Sequence, residues 1–221
     1  MALALGLQQA GHHVTLVASP DLAAWIRSYG IAVYPLRFSL REFVQQPGQQ
    51  DALKGRNLVR IMRDFRSGFE AYLAGVLDDC WQAAQDAEFL VLSSIASMGV
   101  DIARQRNIPL AVALLQPLFP PTRAFPMFML PFRFSLGGGY NHLTYTLYMR
   151  VGWLFVGGLL NHWRTTCLGL PPWRSMREMV DTLGDRGPPW PYAYSPHVLP
   201  KPPDWPDALH VTGYCVHDPH P

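Results

Sequence analysis

The sequence predicts an α/β fold, a doubly wound parallel sheet with helices on both faces. Two observations support it. Short apolar runs of strand length alternate with helical patterns, joined by short links. The runs VTLVA, EFLVL and PLAVALL are unbroken, as in strands that are covered on both faces. With 221 residues, 49% of them hydrophobic, the chain can bury a full core and is not of the disordered class.

The first half of the chain supplies most of this alternation. Gly11 is a candidate C-cap for an opening helix, and Ser19-Pro20-Asp21 is a typical start for the second. After a polar loop, a long helix is predicted at 56–87, with apolar residues on one face and Arg56, Arg60 and Arg63 on the other. That basic face is either solvated or a membrane or phosphate contact. The predicted strands are 14–18, 31–36, 88–92 and 109–115.

The second half adds helices and two late strands. A helix is predicted to end near Asn107, a long one to span 141–166, and a short one 173–183. PYAYS and HVTGY are predicted strands, and a proline-rich stretch lies between them. The segment VGWLFVGGLL is too short to span a bilayer and is predicted to be a buried or interfacial helix.

Charge and cysteine content narrow the function classes. A net charge of +2 gives no support to nucleic-acid binding. Three widely spaced cysteines give neither a disulfide framework nor a zinc pattern, and they indicate reduced thiols in a cytoplasmic protein. His12 and His13 are adjacent and point to opposite faces of a strand, so they cannot share a metal.

Common catalytic motifs are absent: the sequence has no G-x-G-x-x-G after a strand, no Walker loop and no G-x-S-x-G. Gly137-Gly138-Gly139 either cradles an anion at a helix N-terminus or is a flexible lead-in to that helix.

The stretch LLQPLFPPTRAFP, residues 114–126, follows a predicted strand directly. It therefore lies at the carboxyl edge of the sheet, where open α/β folds bind ligands. Its prolines fix φ and reduce the entropy lost when the loop becomes ordered. An apolar wall is predicted from Phe119, Phe125, Met127 and Phe128. Arg123 offers either a polar anchor for a ligand or an internal clamp on the loop.

Several segments occur in an order that resembles a known family. They are TRAFP, GGGYNHLTY, NHWR followed by LGLPP, and YAYSPHVLPKPPDWPDALHVTGY. Together they closely resemble the N-terminal, acceptor-side domain of sterol 3-β-glucosyltransferases and their bacterial relatives, within the family 28 type of GT-B glycosyltransferases. The resemblance covers nearly the whole chain.

The resemblance implies transfer of a hexose, usually glucose from UDP-glucose, to the hydroxyl of a sterol or similar lipid. GT-B enzymes of this kind use two doubly wound domains and need no catalytic metal or tightly bound cofactor. The acceptor-binding residues it points to here are Phe119, Thr122, Arg123, Phe125 and Tyr140. A cytoplasmic protein with peripheral membrane contact is expected.

Departures from the family pattern set further expectations. In the family, a strand and a glycine-rich loop of the kind GSRGDVQP, with the candidate base, precede the segment that begins here, and a donor domain follows. We therefore expect no catalytic residue in this chain, a sheet without its first strand, and no activity of the chain alone. Residues 1–214 would be the acceptor-side domain and 215–221 the start of a linker. Asp101 stands where relatives often carry histidine.

Two other functions remain open. The chain could be a non-catalytic lipid-binding module, or a module completed by a separate donor-domain chain. A nicotinamide-dependent oxidoreductase would share the fold class, but the sequence lacks its glycine fingerprint.

Overall fold

The computed structural model describes residues 1–45, 58–93, 99–130, 134–182 and 189–216. Its contacts divide the chain into two units, Met1–Ala87 with Cys215–Pro221, and Glu88–Tyr214. Both are mixed α/β structures with parallel strands, which confirms that part of the predicted fold class. The single doubly wound sheet and the boundary after residue 214 stay predictions.

The first unit is a two-stranded parallel sheet with helices. Strand β1 pairs with β2 from Thr15 opposite Ala32 to Ala18 opposite Pro35. The elements are α1 (Ala2–Gln9), β1 (Thr15–Ala18), α2 (Pro20–Arg27), β2 (Ala32–Pro35), α3 (Leu40–Gln45) and α4 (Leu58–Ala83).

Helix α1 ends at the predicted glycine. Gly11 has φ +90°, which glycine adopts without strain. The His12 N–H donates to the Leu7 carbonyl at 3.1 Å and the Gly11 N–H to the Gln8 carbonyl at 3.0 Å. These two bonds form a Schellman motif, which satisfies carbonyls at the helix end.

Two expectations for this unit are wrong. Strand β1 is predicted to be covered on both faces, yet each of its residues is at least partly exposed. The polar loop after β2 contains helix α3, because the Ser39 hydroxyl accepts a hydrogen bond from the Glu42 N–H at 3.2 Å. A serine followed three residues later by glutamate is a helix-start signal that the sequence analysis missed.

The long helix α4 is confirmed from Leu58, with its apolar face visible at Tyr72, Leu73 and Val76, which are buried. Arg37 donates to the buried Asp79 on this helix, from Nε at 2.8 Å and from its backbone N–H at 2.8 Å. Arg56 lies outside the described residues, as do the side chains of Arg60 and Arg63, so the basic face stays a prediction.

The second unit holds the strands of the candidate site. Its elements are β3 (Leu90–Ser93), α5 (Val100–Arg106), β4 (Leu110–Ala113), α6 (Gly138–Cys167), α7 (Met176–Asp181), β5 (Trp190–Tyr192) and β6 (Leu209–Val211). No helix in the described part of the chain is long and apolar enough to cross a membrane.

The strands of this unit are all parallel. Strand β3 pairs with β4 and β5 pairs with β6, while Leu114 just after β4 bridges to Tyr192 of β5. Strand β4 thus has neighbours on both sides, and Leu110, Ala111 and Val112 are buried as predicted. Strand β3 is predicted to be equally buried, but of its residues only Leu92 is. Among the described strands of this unit, β3 pairs with β4 alone, so its other edge has no neighbouring strand.

Two helices begin at different residues from those predicted. Helix α6 starts at Gly138 rather than 141, since Gly137 with φ +97° turns the chain into it. Helix α7 starts at Met176, because the Ser175 hydroxyl caps it by accepting from the Glu178 N–H at 3.1 Å.

Candidate functional site

The loop that leaves the carboxyl end of β4 is tied down by one carboxylate, that of Asp204. Its Oδ1 accepts from the Thr122 hydroxyl at 2.6 Å, and its Oδ2 accepts from the Arg123 N–H at 2.7 Å. The Thr122 Oγ1 in turn accepts from the Ala124 N–H at 3.0 Å. Asp204 therefore fixes the turn that carries the predicted site residues.

Helix α6 holds the other side of the same loop. The Asn141 side-chain amide donates to the Arg123 carbonyl at 2.9 Å, and the Met127 N–H donates to the Thr144 hydroxyl at 2.7 Å. Asn141 and Thr144 are both buried. Bonds to both sides make the loop an ordered wall, as its prolines predict.

Thr122 does not reach the surface. It is fully buried, and its hydroxyl is engaged with Asp204 and Ala124. It therefore supports the loop from inside, and its predicted direct contact with an acceptor would require the loop to move.

Arg123 has two separate roles for its backbone and its side chain. The backbone N–H and carbonyl make the clamps to Asp204 and Asn141. The exposed side chain passes over the start of α6, where a Cβ on Gly138 would lie 3.1 Å from the Arg123 Cβ. Glycine at position 138 therefore leaves room for this close approach. Among the described residues, no carboxylate forms an ion pair with the guanidinium, so that group is open to an external anion or hydroxyl.

The aromatic residues of the loop contact aromatic residues of helix α6, of strand β5 and of the segment that precedes β6. Phe125 packs edge-on against Trp205 with ring centroids 6.0 Å apart, and it also contacts Tyr145 at 6.4 Å. Phe119 is fixed by its backbone, since its N–H donates to the Tyr192 hydroxyl at 3.1 Å and its carbonyl accepts from the same hydroxyl. Phe119 and Phe125 therefore lie before and after the turn that Asp204 holds.

The buried phenols of this unit stay neutral. Burial raises the pKa of Tyr194 to about 12, and it also raises the pKa of Tyr145 and of Tyr192. A phenol with such a pKa is protonated throughout the physiological range, so none of the three serves as a general base near neutral pH.

Within the described part of the chain, the buried hydroxyls of Tyr145 and Tyr194 have no hydrogen-bond partner. An unpaired buried hydroxyl lowers the stability of the fold.

A pocket of about 630 Å³ opens beside the loop. This volume is in the range of small-molecule sites, and the lining is apolar apart from the Gln116 side chain. The lining residues are Gln116, Pro117, Phe125, Pro126, Met127, Phe128 and Leu199. The arrangement can hold an apolar body and offer it one amide group for orientation.

Of the five predicted acceptor-binding residues, Phe119, Thr122, Arg123, Phe125 and Tyr140, one is part of the pocket lining. Phe125 lines it. Phe119 packs near Tyr148 with ring centroids 6.3 Å apart, and Tyr140 stacks on Phe134 at 5.7 Å. All five lie on the loop or on the first turn of α6. Their contact with an acceptor stays a prediction.

The residues that hold the site in place are not evident from the sequence. Asp204 lies 82 positions after Thr122, and nothing local marks it as the partner of the loop. Its tripeptide, Asp204-Trp205-Pro206, belongs to a segment that carries the family resemblance, which was the available signal.

A second buried cluster of the same unit explains two other segments. Asp101, fully buried, is ion-paired with Arg164 of the NHWR segment and accepts from the Trp173 indole N–H at 2.8 Å. The Arg164 guanidinium lies over the Trp173 ring at 4.0 Å and donates from Nε to the Pro171 carbonyl. The side-chain amide of Asn161 donates to and accepts from the backbone of Trp173, at 2.9 and 2.8 Å. NHWR and LGLPP are therefore held together by hydrogen bonds and an ion pair inside this unit.

The described residues include no group of three His, Cys, Asp or Glu side chains placed to hold a metal ion.

Comparisons with known sequences find sterol 3-beta-glucosyltransferases among the proteins that this chain is similar to. The chain is 32% identical over 219 residues to a sterol 3-beta-glucosyltransferase of Cryptococcus neoformans, 32% over 218 residues to one of Leptosphaeria maculans, and 33% over 225 residues to one of Yarrowia lipolytica. Each similarity covers 99% of this chain, which spans only 13 to 14% of the length of those relatives.

Other comparisons add less. No protein-family model matches the chain. Among solved structures, the glycosyltransferase SsfS6 of Streptomyces sp. SF2575 aligns with 90% of this chain and 47% of its own, at 14% identity and a TM-score of 0.48.

Proposed function

We propose, from the premise that 99% of this chain is similar to a segment of sterol 3-beta-glucosyltransferases, that it binds the lipid acceptor in a sugar-transfer reaction. The donor would be a UDP-sugar, UDP-glucose first, and the acceptor a sterol or another lipid with one hydroxyl. The chain would supply the acceptor half of a GT-B enzyme, and a donor-binding domain would supply the rest. The observation that carries the proposal is the apolar pocket beside the tied loop.

The pocket chemistry suits a sterol-like molecule. Burying an apolar ring system against Phe125, Met127 and Phe128 is favourable by roughly 25 cal/mol for each Å² removed from water. Gln116 can exchange a hydrogen bond with the single hydroxyl and set its direction. Holding the hydroxyl in a fixed position is the contribution that an acceptor-binding part makes to catalysis.

The loop is already ordered by its own contacts, which favours tight binding. Asp204, Asn141 and Thr144 hold its backbone, so little entropy remains to be lost when an acceptor binds. The aliphatic part of the exposed Arg123 side chain lies at the first turn of α6, and its guanidinium can meet an oxygen of the acceptor or a donor phosphate.

A second candidate, a non-catalytic lipid-binding module, has one observation in its favour. The residues that line the pocket include no acid or base that titrates near neutral pH. A partner-completed module, in which another chain brings the donor site, is a form of the same candidate.

The test is transfer of radiolabelled glucose from UDP-glucose by the intact protein that carries this sequence, with ergosterol, cholesterol or no acceptor. We expect labelled steryl glucoside only when sterol is present, and a lower yield from Phe125→Ala. Sterol binding without any transfer would favour the binding module. The absence of both would refute the proposal.

A further inference from the structure

The candidate pocket lies between two segments of the chain. Of the described residues that line it, all but one belong to the loop after β4, and the remaining one, Leu199, belongs to the link between β5 and β6. Leu199 is therefore the side chain with which this second segment would meet a bound molecule.

The two segments continue two neighbouring parallel strands, β4 and β5. Leu114, just after β4, bridges to Tyr192 at the end of β5. The Leu114 N–H donates to the Pro191 carbonyl at 3.0 Å, and the Ala193 N–H donates to the Leu114 carbonyl at 2.9 Å. Neighbouring strands lie about 4.8 Å apart, so these bonds fix the points at which both segments leave the strands.

The loop side of the pocket is held in place. Pro117 and Pro126 belong to the lining and have a fixed φ. Met127 is buried, and its N–H donates to the Thr144 hydroxyl at 2.7 Å. Asp204 holds the turn between the two prolines. This side can move outward only if these hydrogen bonds break.

The backbone of Leu199 is held as well, in a short turn closed on Ser195. The Val198 and Leu199 N–H groups donate to the Ser195 carbonyl at 3.0 and 3.2 Å, and the His197 N–H donates to the Ser195 hydroxyl at 3.2 Å. Val198 is 70% exposed, whereas Leu199 is half-buried and lines the pocket. With both backbones held, the size of the side chain at position 199 limits the width of the pocket.

The shape of the loop side favours a flat ligand. Four of its lining residues carry rings, Pro117, Phe125, Pro126 and Phe128. Rings of this kind are nearly flat and cannot change their shape. A flat ligand can contact several of them at once, whereas a bent one leaves gaps and loses the dispersion energy of the missing contacts.

We propose that Leu199 is a specificity-determining residue, whose side chain narrows the pocket so that an acceptor with a flat fused-ring body enters and one with a bent body is rejected. This inference rests on the proposed function for the kind of ligand. It adds the residue that selects among such ligands and the property of the ligand that is selected.

The test uses two sterol isomers, cholestanol and coprostanol. They have the same atoms and one hydroxyl each, but the junction of the first two rings makes cholestanol flat and coprostanol bent. Binding to the intact protein is measured by displacement of the fluorescent sterol dehydroergosterol. We expect the wild type to bind cholestanol about tenfold more tightly than coprostanol, because a misfit in a rigid apolar pocket has an effect of this size. Equal affinities would overturn the proposal.

Leu199→Ala widens the pocket on the side of the second segment. We expect the preference for cholestanol to fall below about threefold, mainly because coprostanol binds more tightly. The matched control, Val198→Ala, changes an exposed neighbour in the same turn that does not line the pocket, and it should keep the preference of the wild type. An unchanged preference in Leu199→Ala would overturn the proposal.

The ratio of the two affinities separates selection from a structural role. A partial loss of folded protein lowers the binding of both isomers equally and leaves their ratio unchanged. Leu199→Phe tests the opposite direction, and we expect both isomers to bind at least about tenfold more weakly while circular dichroism stays that of the wild type. Binding of both isomers to Leu199→Phe with the affinities of the wild type would also overturn the proposal.

The proposed function can fail independently. If the intact protein transfers no sugar to any sterol while the preference in binding still depends on Leu199, the selection stands and the sugar-transfer function does not. If sugar is transferred to sterols but Leu199→Ala prefers cholestanol as strongly as the wild type does, the function stands and the role of Leu199 does not.

Discussion

Two aspartates of the same unit organise two clusters in different ways. Asp101 is fully buried and pairs with the buried guanidinium of Arg164. Asp204 is exposed and binds neutral donors, the Thr122 hydroxyl and the Arg123 N–H. Removing one partner of a buried ion pair leaves an uncompensated charge, whereas water can replace the partner of an exposed carboxylate. The stability of the buried Asp101–Arg164 cluster and the order of the loop held by Asp204 can therefore be changed separately.

The largest effect is expected at the buried cluster. Asp101→Ala leaves the Arg164 charge buried without its partner, which should lower the free energy of unfolding by about 3–5 kcal/mol. Urea denaturation of the intact protein measures it. Replacing both residues, as Asp101→Leu/Arg164→Met, should cost less than Asp101→Ala. A loss below about 1 kcal/mol for Asp101→Ala would show that the pair is not as isolated from water as its burial indicates.

A smaller stability effect and a larger functional one are expected at the loop. Asp204→Ala removes two hydrogen bonds and should cost about 1–2 kcal/mol in unfolding free energy. The loop should become mobile while the core stays folded. Hydrogen exchange should therefore rise at the Arg123 N–H and stay unchanged at the N–H of Val112, a buried residue of β4. Equal increases at both amides would break the distinction between the two clusters.

Phe125→Ala probes the pocket wall itself. Because its ring lines the pocket and contacts Trp205, we expect the Kd for sterol to rise about tenfold, or about 1.4 kcal/mol. Trp25→Ala, at a ring on α2 in the first unit, is the control and should leave sterol affinity unchanged. If Phe125→Ala and the wild type bind sterol with equal affinity, the Phe125 side of the pocket does not contact the sterol.

The smallest stability effect is expected for Arg123→Ala, within about 0.5 kcal/mol, since its guanidinium is exposed and the clamps are made by its backbone. If the side chain anchors a ligand oxygen, the affinity for the acceptor or for the UDP-sugar should still fall by several-fold, and Arg123→Lys should retain part of it. A large loss of stability would instead support the internal clamp that the sequence left open.

Local patterns allowed more of the fold to be predicted than of the site. The buried strand β4 and the position of the next loop at the carboxyl end of this strand follow from an unbroken apolar run and the direction of parallel strands. The helix starts at Gly138 and Met176 were missed because they depend on one glycine φ and one serine cap.

The site was harder to predict because its contacts are distant along the chain. Phe125 lines the pocket, and its contact with an acceptor stays a prediction, whereas Thr122 is buried and bonded to Asp204, 82 residues away. Which side of helix α6 is exposed was left open by the sequence for another reason. Leu143 and Leu154 have the same hydropathy as the buried leucine of α6, Leu160, and only packing shows which face is covered.

The most direct test of the central claim, that this pocket holds the acceptor, is photolabelling of the intact protein with a diazirine sterol, followed by mapping of the labelled residues. We expect adducts at the pocket lining, on residues 116–117, 125–128 and Leu199, which excess unlabelled sterol and the Phe125→Ala substitution both reduce. Adducts confined to other parts of the protein, or adducts at the lining that excess sterol does not reduce, would contradict it.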